Sequence, residues 1–190
     1  MASVVVPLLL ARHGETPDNA HGMILGRRDP PLSQVGREQA AGLAARLAAI
    51  LGTAVVAMWC SPLSRARQTA EIVADAVGVP PTVLDDLIES DRGNWEGLSF
   101  GEISAVTPDL FAAFEAAQEG FAFPGGESLA QQVERTRRAL TMVAAGPTPA
   151  LVVAHAGTIR AAMIAVGRRP PPEQALGNGE AVPLGWSAYA

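Results

Sequence analysis

Two arginines and two histidines stand at or just past the ends of apolar runs in this chain. Arg12 and His13 close the run from Val4 to Leu10, Arg65 lies in the first turn of the segment after 54–59, and His155 closes 150–154. A planar guanidinium pairs with a tetrahedral oxyanion through parallel N–H bonds and keeps its charge throughout the physiological range. A neutral imidazole is a nucleophile near neutral pH, and nearby cations help to keep it unprotonated. Together such groups suit a dianionic phosphoryl group, with one histidine free to attack phosphorus. Displacement also needs an acid for the leaving alkoxide, and partial burial favours an acid that still holds its proton. Glu89, in LIESDRGNWEG beside Leu87, Ile88 and Trp95, is the best-placed carboxylate; Asp85, Asp86, Asp91 and Glu96 compete with it.

The elements that must position these residues follow from periodicity. A continuous apolar run such as Val4–Leu10 reads as a strand buried on both faces. In PLSQVGREQAAGLAARLAAILG the apolar residues Ala40, Leu43, Ala44, Leu47, Ile50 and Leu51 recur at helical steps, with Gly52 as a stop. AVVAMW (54–59) is a second strand. The next helix has Ser61 as its expected N-cap and Pro62 at its first position, and Gly78 with Pro80 ends it. ALVVAHAG (150–157) is a third strand, and TIRAAMIAVG the helix after it. Strands alternating with helices predict a three-layer α/β/α sandwich around a mainly parallel sheet. In such sheets ligands bind at the carboxyl ends of the strands, where helix N-termini add partial positive charge. That rim would gather Arg12, His13, Arg65 and His155.

Residues 85–127 break the alternation and read as a small helical lid. Ser99 and Glu102 form a capping box, Thr107-Pro108 opens a helix through Glu119, and all five phenylalanines fall in this insert. The phenylalanines fit a lid core, favoured about two to one because aromatics at helical spacing usually pack, or contacts to an apolar part of a ligand. A long amphipathic helix spans 125–146, with Leu129, Val133, Thr136, Leu140 and Val143 on one side and Arg135, Arg137 and Arg138 on the wet side.

Composition narrows the function classes. The 190 residues fit one domain, 1–190, with 48% hydrophobic and 17% charged residues. A net charge of −5 does not suggest a nucleic-acid partner, and no window approaches a membrane span. The N-terminus lacks the basic region of a signal peptide, which predicts a cytoplasmic protein. Cys60 is the one cysteine, so neither a disulfide framework nor a thiolate metal cluster is expected. All fourteen basic residues are arginine, which excludes lysine Schiff-base chemistry. Nothing in the sequence sets an oligomeric state.

The blocks ARHGETPDN, SPLSRARQTAE, LIESDRGNWEG, PGGES and VVAHAGTIRA occur in the order seen in the histidine phosphatase superfamily, also called the phosphoglycerate mutase-like family. Residues 8 to about 165 resemble it. The resemblance implies that His13 is the nucleophile that becomes phosphohistidine, and that Arg12, Arg65 and His155 bind the phosphoryl group. It implies Glu89 as proton donor and then as the base that activates water. Asn19 falls at a substrate or phosphate contact of the family, and Gly26 lies in the loop beside it. No metal and no other cofactor is implied, and the partner would be a small phosphate ester.

The same resemblance covers mutases and phosphatases. Between Leu98 and Gly126 the charges are Glu102, Asp109, Glu115 and Glu119, with no lysine or arginine. An acidic lid would repel a bisphosphorylated carboxylate, which favours a phosphatase. PDN also stands where mutases typically show a tryptophan before the asparagine. A phosphoglycerate-type mutase and a non-catalytic phospho-ligand sensor are the competing readings. Three further features have bland readings: His21 as surface, Arg27 and Arg28 as solvated loop charges, and Cys60 as inert packing. Arg160 fits either support of His155 or pairing with a carboxylate.

Overall fold

The structure, a computed structural model, describes residues 6–51 and 55–186; Val4, Val5, the expected stop at Gly52 and the side chains of Ile50 and Leu51 lie outside the description. Among the described residues five strands form one sheet in the order β3-β2-β4-β1-β5. They are β1 (Val6–Arg12), β2 (Ala57–Cys60), β3 (Pro81–Val83), β4 (Ala150–Ala154) and β5 (Ala181–Trp186). Among the described residues seven α-helices accompany them: α1 (Pro17–Ala20), α2 (Gln34–Leu51), α3 (Ser64–Val77), α4 (Phe100–Val106), α5 (Pro108–Glu115), α6 (Leu129–Ala145) and α7 (Ala156–Ala165). Strands β1 to β4 are mutually parallel, and β5 runs antiparallel along β1 as an edge. The short β3 carried too little apolar sequence to stand out, and β2 begins three residues later than expected.

The central strand shows why the sheet sits where it does. All five residues of β4 are buried. Ala150, Val152 and Ala154 pack toward α6 and α7, while Leu151 and Val153 pack toward α2 and α3. This alternation gives the three layers. Each fully buried Leu or Val side chain contributes about 1.5–3 kcal/mol relative to exposure. Ala40, Leu43, Ala44 and Leu47 of α2 are buried as their spacing predicts. No helix among the described residues is long and apolar enough to cross a membrane.

The lid has a separate core. Trp95 contacts Phe111, Phe114, Phe121 and Phe123 at ring-centroid distances of 5.5–6.5 Å, and Ile24 and Ile103 complete the cluster. The phenylalanines therefore pack mainly on one another. The capping box at Ser99 and Glu102 is present, and α5 stops at Glu115, four residues short of the expected end.

Two expectations are corrected. Ser61 does not cap α3, which starts at Ser64 after Leu63; the Ser61 hydroxyl instead meets the His155 ring. Arg135 is not on a wet face. It is buried, pairs with Glu127 through two bonds of 3.0 and 2.8 Å, and donates to the carbonyls of Asp86 and Ile88. The segment leading to Glu89 is thereby fastened to α6.

Candidate active site

The carboxyl ends of β1, β4 and β2 lie side by side, so the residues that follow them share one rim. The His13 N–H bonds the Ala154 carbonyl at 3.0 Å, and the Ser61 N–H bonds that of Val153 at 3.0 Å. Just beyond His13 the chain turns hard against the start of α2. A Cβ on Gly14 would lie 2.2 Å from the Gly36 carbonyl oxygen, so this approach requires glycine.

His13 is 3% exposed and forms two polar contacts that define its state. Its Nδ1 lies 2.7 Å from the Gly14 carbonyl, which only a protonated Nδ1 can satisfy. The Nε2 accepts from Arg65 Nε at 3.2 Å, so its lone pair points at that cation and is released for attack only when Arg65 turns to another acceptor. Burial, then Arg65 and Arg12, hold His13 well below its ordinary pKa of 6.5. The ring is a neutral base with its nucleophilic nitrogen toward the cations.

Arg65 is 1% exposed and fixed by the carbonyls of Arg28 and Gly26 at 2.6 and 2.9 Å. Burial lowers its pKa to about 10, which leaves it a cation at neutral pH. Gly26 has a positive φ of 53°, and a Cβ there would meet Glu96 and Arg92. Its backbone carbonyl therefore serves to hold Arg65 while the residue lines the cavity. Arg12 donates to the Leu176 carbonyl, and its Nε is buried without a partner. His155 lies 5.1 Å from His13 ring to ring. Its Nε2 contacts Ser61 Oγ at 2.7 Å, its Nδ1 is buried without a partner, and burial and Arg65 hold its pKa well below 6.5.

Asn19 sits in a capping box with Thr16 at the start of α1. Its Oδ1 accepts from the Thr16 N–H and hydroxyl at 3.2 and 3.1 Å, which turns the amide NH2 away from these donors. Glu89 is 4% exposed. Its carboxylate accepts from the N–H groups of Ser90 and Gly157 at 2.7 and 3.0 Å and from Gln132 Nε2 at 3.2 Å, with Arg92 Nη2 at 3.5 Å.

Arg12, His13, Asn19, Gly26, Arg65 and Glu89 line a single cavity of about 40 Å³. His155 is not among the residues that line it; its ring lies 5.1 Å from that of His13. Of the five carboxylates that competed on sequence, Glu89 is the one that lines this cavity. Asp86 pairs with Arg138, Asp91 lies near Arg27, and Glu96 accepts from the Arg27 N–H. Arg27 and Arg28 keep exposed side chains, and His21 is exposed with its ring against the Pro17 carbonyl. Arg160 reaches the carbonyls of Phe114 and Glu115 and lies 3.7 Å from Glu173, so it ties the lid to the sheet domain. Cys60 is buried, with its thiol pushed up to about 11 by burial.

Several residues enter the site without having been foreseen. Thr69, one turn after Arg65, accepts from the Gly14 N–H at 3.0 Å. Asn178 donates to the His13 carbonyl at 3.0 Å. Arg92 and Glu173 line the cavity, and Gln132 of α6 donates to Glu89. The four-residue step from Arg65 to Thr69 was a readable signal. Glu173 and Asn178, in PPPEQALGNGE, carried none. Among the described residues no group of three or more His, Cys, Asp or Glu side chains is placed to hold a metal ion.

Comparison with known proteins matches residues 8–180 to the sequence model of the histidine phosphatase superfamily (branch 1). A bifunctional protein of Mycobacterium tuberculosis, Rv2228c, is 38% identical over 155 residues, which are 80% of this chain and 42% of that protein. This chain thus spans about two-fifths of that relative's length. A metal-independent phosphoserine phosphatase of Arabidopsis thaliana is 36% identical over 163 residues, 84% of this chain and 68% of that protein. Among solved structures, the mycobacterial glucosyl-3-phosphoglycerate phosphatase Rv2419c with VO3 superposes with a TM-score of 0.80 at 28% identity, covering 94% of this chain and 90% of that one.

Proposed function

Because the chain belongs to the histidine phosphatase superfamily (branch 1), we propose that it hydrolyses small phosphoric monoesters through a phosphohistidine on His13, without a metal ion. The observation that carries this reading is the shared cavity: a neutral, cation-flanked histidine faces the same small space as the buried carboxylate Glu89. The names of the Arabidopsis and mycobacterial phosphatase relatives support it.

In the first step the His13 Nε2 lone pair attacks phosphorus and the bond to the ester oxygen breaks. Glu89 gives its proton to that oxygen, which leaves as an alcohol. Arg12, Arg65, the Asn19 amide and His155 Nδ1–H hold the three phosphoryl oxygens as negative charge shifts onto them. In the second step Glu89, now a carboxylate, takes a proton from water. The water oxygen bonds to phosphorus, the N–P bond breaks, and phosphate leaves with His13 neutral again. The proton count closes over the cycle.

The lid's lack of lysine and arginine between Leu98 and Gly126 favours transfer to water over return to a second substrate position. The test is phosphate release from a panel of monoesters in EDTA, wild type beside His13→Ala, with acid-labile, alkali-stable protein phosphate trapped in parallel. We expect release that survives EDTA and drops by about 10⁴-fold or more in the variant. Bisphosphoglycerate-primed interconversion of phosphoglycerates with little free phosphate would make the protein a mutase. Binding of vanadate without turnover on any ester would make it a sensor.

A further inference from the structure

The two ring nitrogens of His155 have unlike surroundings. Nε2 lies 2.7 Å from Ser61 Oγ, and Nδ1 is buried with no partner. An imidazole nitrogen accepts when bare and donates when protonated, so the direction of the Ser61 bond decides which nitrogen carries the ring proton. Ser61 follows β2 and His155 follows β4, and those strands pair with Cys60 opposite Val153. The sheet itself thus brings together two residues 94 positions apart.

The hydroxyl fixes the direction. Ser61 is 0% exposed, and its Oγ accepts the Leu63 N–H at 3.3 Å. Its own proton needs an acceptor, because a buried O–H left without one bears the full cost of its desolvation. Among the described residues His155 Nε2 is the one acceptor within reach. The Ser61 O–H therefore donates to a bare Nε2, and the ring proton lies on Nδ1. A second proton is opposed by burial, then by Arg65, His13 and Arg12, which hold the pKa well below 6.5. This is the tautomer that an unaided imidazole favours less, since a free histidine side chain carries its proton mostly on Nε2.

Held in this way, His155 keeps a buried donor open on a ring whose centroid lies 5.1 Å from that of His13. A buried donor without an acceptor calls for an explanation, and an incoming oxyanion supplies one. Were the proton on Nε2, the open nitrogen would be a bare lone pair that repels such an oxygen. We infer that Ser61 is a positioning residue whose hydroxyl locks His155 in the neutral Nδ1–H tautomer, the form that can donate to a phosphoryl oxygen. Its part in turnover rests on the phosphatase reading; the tautomer does not.

The experiment reads imidazole 15N shifts in histidine-labelled protein, which separate a protonated ring nitrogen from a bare one. The chain has three histidines, so spectra of His21→Gln and His155→Gln assign the signals. Wild type should show His155 protonated at Nδ1 at neutral pH. Ser61→Ala should move the proton toward Nε2 and lower kcat/KM by about ten- to a hundredfold, alike for alkyl and aryl esters. Ser61→Thr, which keeps the hydroxyl, should restore both, whereas a merely structural role would lower the rate without moving the proton. A wild-type proton on Nε2, or a Ser61→Ala protein that keeps the Nδ1–H form, would overturn the inference. So would a change of tautomer that leaves kcat/KM at the wild-type value. Should circular dichroism show Ser61→Ala unfolded, Ser61→Cys with its weaker donor takes its place. If wild type releases phosphate from no ester, the phosphatase reading fails instead. Ser61 is then judged by titration with inorganic phosphate, which should shift the Nδ1–H signal in wild type and not in Ser61→Ala. Equal responses in the two would sink it.

Discussion

The two walls of the cavity are built in different ways. The end proposed to hold the phosphoryl group consists of residues that leave parallel strands or open the next helix: Arg12 and His13 after β1, Arg65 in α3, His155 after β4. Each is placed by the chain's own local course. The rest of the wall collects Glu89 from the lid's entry, Arg92 from the following turn and Glu173 from the segment before β5, with Gln132 of α6 bonded to Glu89. It is a buried charge network closed across four segments. The first wall suits a group common to every substrate, the second a group that differs among them. The difference suggests that the phosphoryl end sets whether the reaction occurs and the far wall sets on what.

That division can be broken most sharply at Glu89. Glu89→Gln should cut phosphate release from alkyl esters by about 10²–10⁴-fold, the usual worth of a general acid. An aryl ester such as p-nitrophenyl phosphate has a leaving group that needs little protonation, so its phosphoenzyme should form at a rate much nearer wild type. A rapid-quench measurement of phosphohistidine formation on both esters checks this, and equal losses would place Glu89 with the phosphoryl clamp. Arg65→Met should lower kcat/KM by about 10²–10³-fold, the typical cost of one transition-state donor. Here the factor should be the same for alkyl and aryl esters, because the lost contact is to the phosphoryl group. A factor that varies with the leaving group would dissolve the comparison.

The smallest effect is on stability, and the walls should separate on the pH axis. Burial depresses His13 and His155 below 6.5, so the unfolded chain takes up protons that the folded one refuses. Stability is therefore intact above about pH 6.5 and falls below it, by up to about 1.4 kcal/mol per pH unit for each histidine. Glu173 behaves oppositely in origin, since Arg92 and Arg160 outweigh burial and hold it below its ordinary 4.5. Its stabilisation is present above pH 4.5 and is lost only on further acidification. Urea titrations from pH 8 to 4 should show the first loss starting near 6.5. His155→Gln should flatten that limb, and Glu173→Gln should leave its shape unchanged.

Legibility followed the same division. The apolar runs and the residues at their ends located the arginine–histidine rim before any coordinates, because a parallel strand carries whatever follows it to a common rim. The capping box at Ser99 and the αL stop at Gly78 were readable for the same local reason. Ser61 was misread because Ser-Pro ahead of a helix resembles a cap, while the hydroxyl answers to a histidine 94 residues away. Arg135 was misread because helical periodicity registers charge as wet, and nothing local announces a pair with Glu127 and two carbonyls.

By itself, then, the sequence determined the layered α/β plan, the lid and its aromatic core, and the arginine–histidine rim, since each rests on periodicity or on what a strand end exposes. Tertiary structure alone decided which of five carboxylates faces His13, that His13 presents a neutral Nε2, and that Arg92 and Glu173 meet inside the cavity. These depend on desolvation and on contacts between segments as far apart as 81 residues. Neither quantity is encoded in the spacing of neighbours along the chain.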